Sequence, residues 1–304
     1  MKILRVLTGI IAGVVATGNL GISASNPNAT ANQAQFVITA RPTVSLEAGD
    51  VAVLENNAHV PVVRVQRLTG ALADMQLFIL LDDSTRSSSL GTQLPELKKF
   101  VEALPATTQV AIGYMRNGTF GPAQAFTADH QKAAAALRLP MAGAGDNASP
   151  YFALSDLAKH WPSKQSTGRR AVLMLTDGVD PYYGAAIMDD PYVDTAIHDA
   201  LKQGVMVYSI YLRGAGRYDR GSWVTTIAQS RLGEVAQETG GYTYFLGLSD
   251  PVTIAPYLSD FEDRLQNQYQ ITIEATHQKG VQPIKVRTEP SDLKIEAPTR
   301  IYLR

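Results

Sequence analysis

The chain has 304 residues, 45% of them hydrophobic and 18% charged, and a net charge of −1. That length supports one large domain with an accessory piece, or two domains. The balanced charge gives no basic stripe for nucleic acid and no acidic tail, and the absence of cysteine excludes disulfides, thiolate metal sites and cysteine nucleophiles.

The N-terminus reads as a secretory signal peptide. Lys2 and Arg5 form a basic start, an apolar run extends to about Val15, and small-residue sites follow at Ile22-Ser23-Ala24 and Ala29-Thr30-Ala31. Residues 1–31 are assigned to it, and the mature chain is expected to be secreted or periplasmic with no membrane span. Loss of Lys2 and Arg5 takes the net charge from −1 to −3.

Residues 32–74 read as β segments. QFVITA, VSLEAGDVAVLE and HVPVVRVQRL alternate at strand period, with turn signals at Gly49-Asp50 and Glu55-Asn56-Asn57.

From residue 75 to 266 strands alternate with helices. Leu77–Leu81 is a continuous apolar strand, followed by Leu94, Leu97, Phe100, Val101 and Leu104 at helical spacing. Val110–Met115 is a strand and Asp129–Leu139 an alanine-rich helix. Ser149-Pro150 opens another helix, with serine as N-cap and proline at the first position. Strands at Ala171–Leu175 and Val205–Leu212 flank a helix at Val193–Lys202, and a later helix closes at Gly240-Gly241. A short strand at Tyr242–Leu246 precedes a last helix expected to start at Asp250-Pro251. This alternation predicts an α/β class: a doubly wound, mostly parallel sheet with helices on both faces. Residues 267–304 carry three β-like runs, too few to fold alone and expected to pair with the N-terminal strands.

In such sheets ligands sit beyond the C-terminal strand ends, near the switch in strand order. Two apolar strands run there into oxygen-bearing residues. The first ends in Asp82, Asp83, Ser84, Thr85 and Ser87; the second ends in Thr176, Asp177 and Asp180. Hard oxygen donors without histidine or cysteine suit Mg²⁺, Mn²⁺ or Ca²⁺ rather than zinc or copper. Turn and helix-cap chemistry at the same aspartates and at Ser149 is the competing reading. No general base or activated nucleophile is evident: the five histidines are scattered and there is no G-x-S-x-G, so no enzymatic activity is expected. Tyr182 and Tyr183 are the best aromatic candidates for a binding rim. The acidic run from Met188 to Asp194 reads as a solvated loop in which Asp190 or Asp194 serves a helix start.

LLDDSTR before a helix, together with LMLTDG, resembles the von Willebrand factor A fold and its metal-ion-dependent adhesion site. GVMVYSIYL and VAQETGGYTYFLG resemble the later strands of that domain. The resemblance covers about residues 75–266. The flanking DVAVLENNAHVPVVRVQRL and LQNQYQITIEA resemble the bacterial secreted "VWFA-related domain" group. It implies that Asp82, Ser84, Ser149 and Asp177 hold Mg²⁺ or Mn²⁺, with Asp83, Thr85 and Ser87 as the shifted alternative set. It also implies a protein partner whose acidic side chain completes the coordination.

The departure is Arg86, which stands where the second serine of D-x-S-x-S belongs. A divalent cation and a guanidinium ~4 Å apart, at an effective dielectric of ~20, repel by roughly 8 kcal/mol. Three arrangements follow. Arg86 points outward, open to a partner, while Thr85 or Ser87 supplies the missing oxygen; the register shifts to Asp83-x-Thr85-x-Ser87; or Arg86 replaces the metal, pairs with Asp82 and Asp177, and locks a metal-free structural or assembly module.

Overall fold

The structure, a computed structural model, describes residues 33–84, 87–141, 149–165, 168–180, 182, 184–213, 221–276, 278–289 and 293–304, the side chains of residues 87 and 88 excepted. The expected signal peptide, Thr85, Arg86, Tyr183 and the Ser87 side chain lie outside that description.

Four strands come first: β1 (Gln33–Arg41), β2 (Val51–Glu55), β3 (Ala58–Val60) and β4 (Val62–Arg67). The chain then enters the α/β body through β5 (Met75–Asp82), α1 (Ser87–Ala103), β6 (Thr108–Arg116), β7 (Thr119–Thr127), α2 (His130–Ala135), α3 (Pro150–Lys159) and β8 (Arg169–Thr176). It continues through α4 (Pro191–Gln203), β9 (Val205–Tyr211), α5 (Ser222–Thr239), β10 (Thr243–Tyr244) and α6 (Ala255–Gln266). Four strands follow: β11 (Gln268–Glu274), β12 (Gly280–Thr288), β13 (Lys294–Glu296) and β14 (Arg300–Leu303).

The body is a six-stranded sheet in the order β10-β9-β8-β5-β6-β7, parallel except for β7 at one edge. Counted along the body this is the doubly wound order 3-2-1-4-5-6. Every residue of β5 is buried, as a central strand with both faces covered requires. Its alternate side chains feed two cores. Leu77, Ile79 and Leu81 pack with α1 and α6 through Leu97, Val101 and Phe261. Phe78 and Leu80 pack on the other face with α3, α4 and α5 through Leu154, Ile197 and Leu232.

The terminal segments form a β-sandwich. β11 runs antiparallel between β1 and β4, with β13 outside β1, and β12 lies between β14 and β2, with β3 at the edge. The two four-stranded sheets share a core of Phe36, Ile38, Val53, Ile271, Ile273 and Ile301 among others. The C-terminal runs thus pair with N-terminal strands more than 200 residues away in the sequence.

Three local expectations differ from the structure. β7 is a strand the sequence pattern did not show: Gly121, Pro122, Ala123 and Ala125 interrupt its β formers, and it forms a strand because it hairpins onto β6 as an edge, where Pro122 is tolerated. The alanine-rich helix is only the short α2, capped by Asp129 accepting from the Lys132 N–H. The last helix starts at Ala255 instead of Asp250-Pro251. Its first N–H groups are capped from another helix, where Glu96 Oε2 accepts from Ile254 N at 2.9 Å and Ala255 N at 2.8 Å. Asp250 instead accepts from Ser89 Oγ and Arg213 N, each at 2.6 Å.

Candidate functional site

Because β5 and β8 are paired in parallel with Leu81 opposite Leu175, Asp82 and Thr176 emerge side by side at the C-terminal end of the sheet. From β5 the chain winds first towards β6 and then returns to β8 on the other flank, so their seam is the topological switch point. Asp82 is buried. Its Oδ2 accepts from the Thr176 hydroxyl at 2.7 Å, and its Oδ1 accepts from Ser84 Oγ at 2.6 Å and Ser84 N at 2.8 Å. Burial drives the Asp82 carboxyl above the ordinary carboxylate range, and these donors from Ser84 and Thr176 oppose the rise.

The second strand end is a tight turn. Thr176 Oγ1 accepts from Gly178 N at 3.1 Å, and Asp177 Oδ1 accepts from Val179 N at 2.8 Å. Gly178 has φ +68°, and a Cβ there would stand 2.7 Å from Leu232 Cδ1 and 3.0 Å from the Ala228 carbonyl oxygen. The turn therefore needs glycine twice over, for its backbone and for its close seat on α5. The buried Tyr151 hydroxyl donates to the Gly178 carbonyl at 3.0 Å and fixes the turn from α3.

Ser149 precedes α3 as expected, but its hydroxyl does not cap the helix. The residue is left-handed, with φ 46° and ψ 68°, and no side-chain cap bond is made. Its hydroxyl turns to Asp180 instead, donating to Oδ1 at 3.3 Å. Asp180 is fully buried, and its Oδ2 has no hydrogen-bond partner among the described residues. Burial raises the Asp180 carboxyl, Asp190 adds to the rise, and the Tyr182 N–H, Ser149 and Arg231 oppose it. So Ser149 is bonded to Asp180, Asp177 to its own turn through Val179 N, and Ser84 to Asp82, which also takes Thr176.

Asp83 points elsewhere. It is paired with Arg138 Nη1 at 2.7 Å and accepts from Met141 N at 2.9 Å. Burial raises its carboxyl, but Arg138 and the Met141 N–H outweigh that and leave it below the ordinary range. The Arg138 guanidinium also lies over the Tyr114 ring, 3.7 Å from its centroid.

The loop from Gly178 to Asp190 is anchored by Arg231 of α5, a residue with no local sequence signal. Its side chain is 2% exposed; Nη1 lies 3.3 Å from Asp190 Oδ2, and Nη2 donates to the carbonyls of Gly184 and Ile187. Asp190 meanwhile caps α4, accepting from Tyr192 N at 2.9 Å. On this loop Tyr182 is 72% exposed. It packs edge-on against Phe152 and Tyr192, with ring centroids 5.3 Å and 5.9 Å apart.

A hydroxyl that donates to a carboxylate turns its remaining lone pairs away from it. Ser84 and Ser149 do this, so the donor set of Asp82, Ser84, Ser149 and Asp177 fits a hard cation in chemistry. Among the described residues no three acidic or histidine side chains gather as a metal cage; the set here is two hydroxyls and two carboxylates.

No family model and no curated protein matches the chain. Among solved structures it is similar to an aerotolerance-related membrane protein from Bacteroides fragilis NCTC 9343, at 14% identity over 63% of this chain and 98% of that one, with a TM-score of 0.45. It is similar to the SpRpn10 VWA domain at 15% identity, over 62% and 93% of the two chains, with a TM-score of 0.41. It is also similar to the ArnB paralog VWA2 from Sulfolobus acidocaldarius at 10% identity, over 89% and 76%, with a TM-score of 0.43. In its strand order and its helices on both faces the α/β body is the doubly wound, mostly parallel fold the sequence predicts, and the D-x-S and T-D-G turns that resemble the von Willebrand factor A motifs meet at its switch point.

Proposed function

We propose that the chain is a secreted or periplasmic binding protein that engages a partner protein at the C-terminal end of its central sheet. A divalent cation, Mg²⁺ or Mn²⁺, is held there by Asp82, Ser84, Ser149 and Asp177. The partner's acidic side chain completes the coordination. The observation that carries this reading is the pair of serine hydroxyls, Ser84 on Asp82 and Ser149 on Asp180, each spending its hydrogen on a buried carboxylate. Neutral oxygen ligands of this kind leave a bound cation attraction for a carboxylate from outside. The role of this chain's residues is to orient those oxygens; the cation supplies the attraction.

The surface around the site supports a protein partner. Met141, Tyr182, Met188 and Trp223 are exposed on segments next to the strand ends, and aromatic and methionine side chains are favoured at interfaces. Binding rather than catalysis is favoured because His130, His160 and His198 are engaged with Thr108, Asp156 and Asp199, away from the C-terminal strand ends. No helix of the described residues is long and apolar enough to cross a membrane.

A metal-free structural or assembly module is the second reading. It is favoured by the saturation of Asp82, both of whose oxygens already accept hydrogen bonds within the protein, and by Arg86 at the second serine position. Isothermal titration with Mn²⁺ separates the two. One site per chain, lost in Ser84→Ala, supports the first; no heat at millimolar Mn²⁺ supports the second.

A further inference from the structure

At the opposite end of the sheet lies a second feature that the adhesion-type reading does not use. Met75, Thr108 and Arg169 open β5, β6 and β8, and there a cavity of about 290 Å³ separates the sheet from the sandwich. It sits at both chain crossings between the two parts: residues 68–73 on one side and the end of α6 on the other.

Two guanidiniums line it. Arg169 is 7% exposed; Nη1 donates to the Leu265 carbonyl at 2.7 Å and to Gln268 Oε1 at 2.5 Å, and Nη2 donates to the Ala73 carbonyl at 2.9 Å. Those acceptors are neutral, and burial pulls the guanidinium down to about 10. Arg67 reaches Asn267 Oδ1 at 3.5 Å. The Nε–H groups of both arginines are buried and have no hydrogen-bond partner among the described residues. Buried donors of this kind are normally satisfied, and a buried guanidinium normally has an anion. Glu262 also lines the cavity. Asp74 acts on the Arg169 charge as well, so an anion here would be drawn by the unpartnered Nε–H donors and not by excess positive charge. The remaining wall is mixed: Leu68, Met75, Leu104 and Leu265 form its apolar part, and Thr69, Thr107, Thr108 and Gln266 its polar part.

We propose that this cavity binds a small organic monocarboxylate with an apolar body, its carboxylate taken by Arg67 and Arg169 and its body by the leucine wall. A guanidinium fork matches a carboxylate, and an apolar surface beside placed polar groups is the usual form of a small-molecule site.

The test uses the chain from residue 32 onward with benzoate, hexanoate, benzamide and inorganic phosphate as probes, followed by isothermal titration and by thermal unfolding. Benzoate and hexanoate are expected to bind at one saturable site, with benzamide weaker by about tenfold or more, as loss of a charged hydrogen-bond pair implies. Arg67→Gln is expected to weaken benzoate by a similar factor with an unchanged circular dichroism spectrum. Thr107→Phe, at an exposed position of the lining, is expected to block entry should Arg67→Gln fail to fold. Equal binding of benzamide, equal binding of phosphate, or no saturable benzoate binding would each overturn the proposal. None of these outcomes bears on the metal reading, whose residues lie at the other end of the strands.

Discussion

The Thr176 hydroxyl donates to Asp82 Oδ2 at 2.7 Å, and this bond joins the two strands on either side of the switch in winding. Both residues are buried, so the carboxylate cannot recover the lost donor from bulk water. Thr176→Val keeps the shape and removes the hydroxyl. It is expected to destabilise the fold by about 1–3 kcal/mol, read from urea unfolding. A change within error would mean that the bond is not holding the seam.

Ser149 combines a strained backbone with a side chain bonded to the buried Asp180. Ser149→Ala keeps the left-handed φ of 46° and loses the bond to Asp180, whereas Ser149→Gly loses the bond and relieves the backbone. The glycine variant should be the more stable of the two by about 1 kcal/mol. Equal stability of the pair would contradict the backbone assignment.

Gly178→Ala places a methyl 2.7 Å from Leu232 Cδ1 at a residue with φ +68°. Overpacking and backbone strain together should cost about 2–4 kcal/mol. The alanine variant should also show altered near-ultraviolet circular dichroism, since Tyr151 holds the same turn. Full retention of the unfolding midpoint would exclude the tight seat on α5.

Asp83 contributes to the acid limb of stability, as do the lowered carboxyls of Asp199 and Asp260. The Asp83 carboxyl is raised by burial but lowered more by Arg138 and the Met141 N–H, so its folded value lies below the unfolded one of about 3.9. A depressed carboxylate contributes stability that is present above the unfolded value and is lost as pH falls through the folded one. The stability difference between wild type and Asp83→Asn should therefore be constant above about pH 5 and shrink below about pH 4. A difference that grows towards acid would reverse the sign assigned to this pair.

Much of this was legible in the sequence. The apolar strands ending in Asp82 and Asp177 marked both the fold class and the switch point, because buried parallel strands that alternate with helices surface at the C-terminal end of the sheet. The serine run before Leu90 did not reveal that α1 begins at Ser87 and continues through Pro95, since packing overrides local propensity there. The role of Ser149 was hidden because Ser-Pro reads as a cap, and only the left-handed backbone sends the hydroxyl to Asp180. Arg231 and Glu96 were invisible for a common reason: each serves a loop or helix end far away in sequence, and periodicity reports only local faces. The cavity at Arg67 and Arg169 likewise arises from the junction of two units, which no single segment encodes.

The central claim is that the switch point holds a cation, and thermal unfolding of the chain from residue 32 onward tests it most directly. Wild type, Asp177→Asn and Arg86→Ser would be compared in Mg²⁺, Mn²⁺, Ca²⁺ and EDTA. A cation that binds only the native state at a hundred times its Kd adds about 2.7 kcal/mol. The expected result is a rise in the wild-type midpoint with Mg²⁺ or Mn²⁺ that is absent in Asp177→Asn. A wild-type midpoint identical in metal and EDTA, with a rise only in Arg86→Ser, would contradict it and assign the cation's place to the arginine.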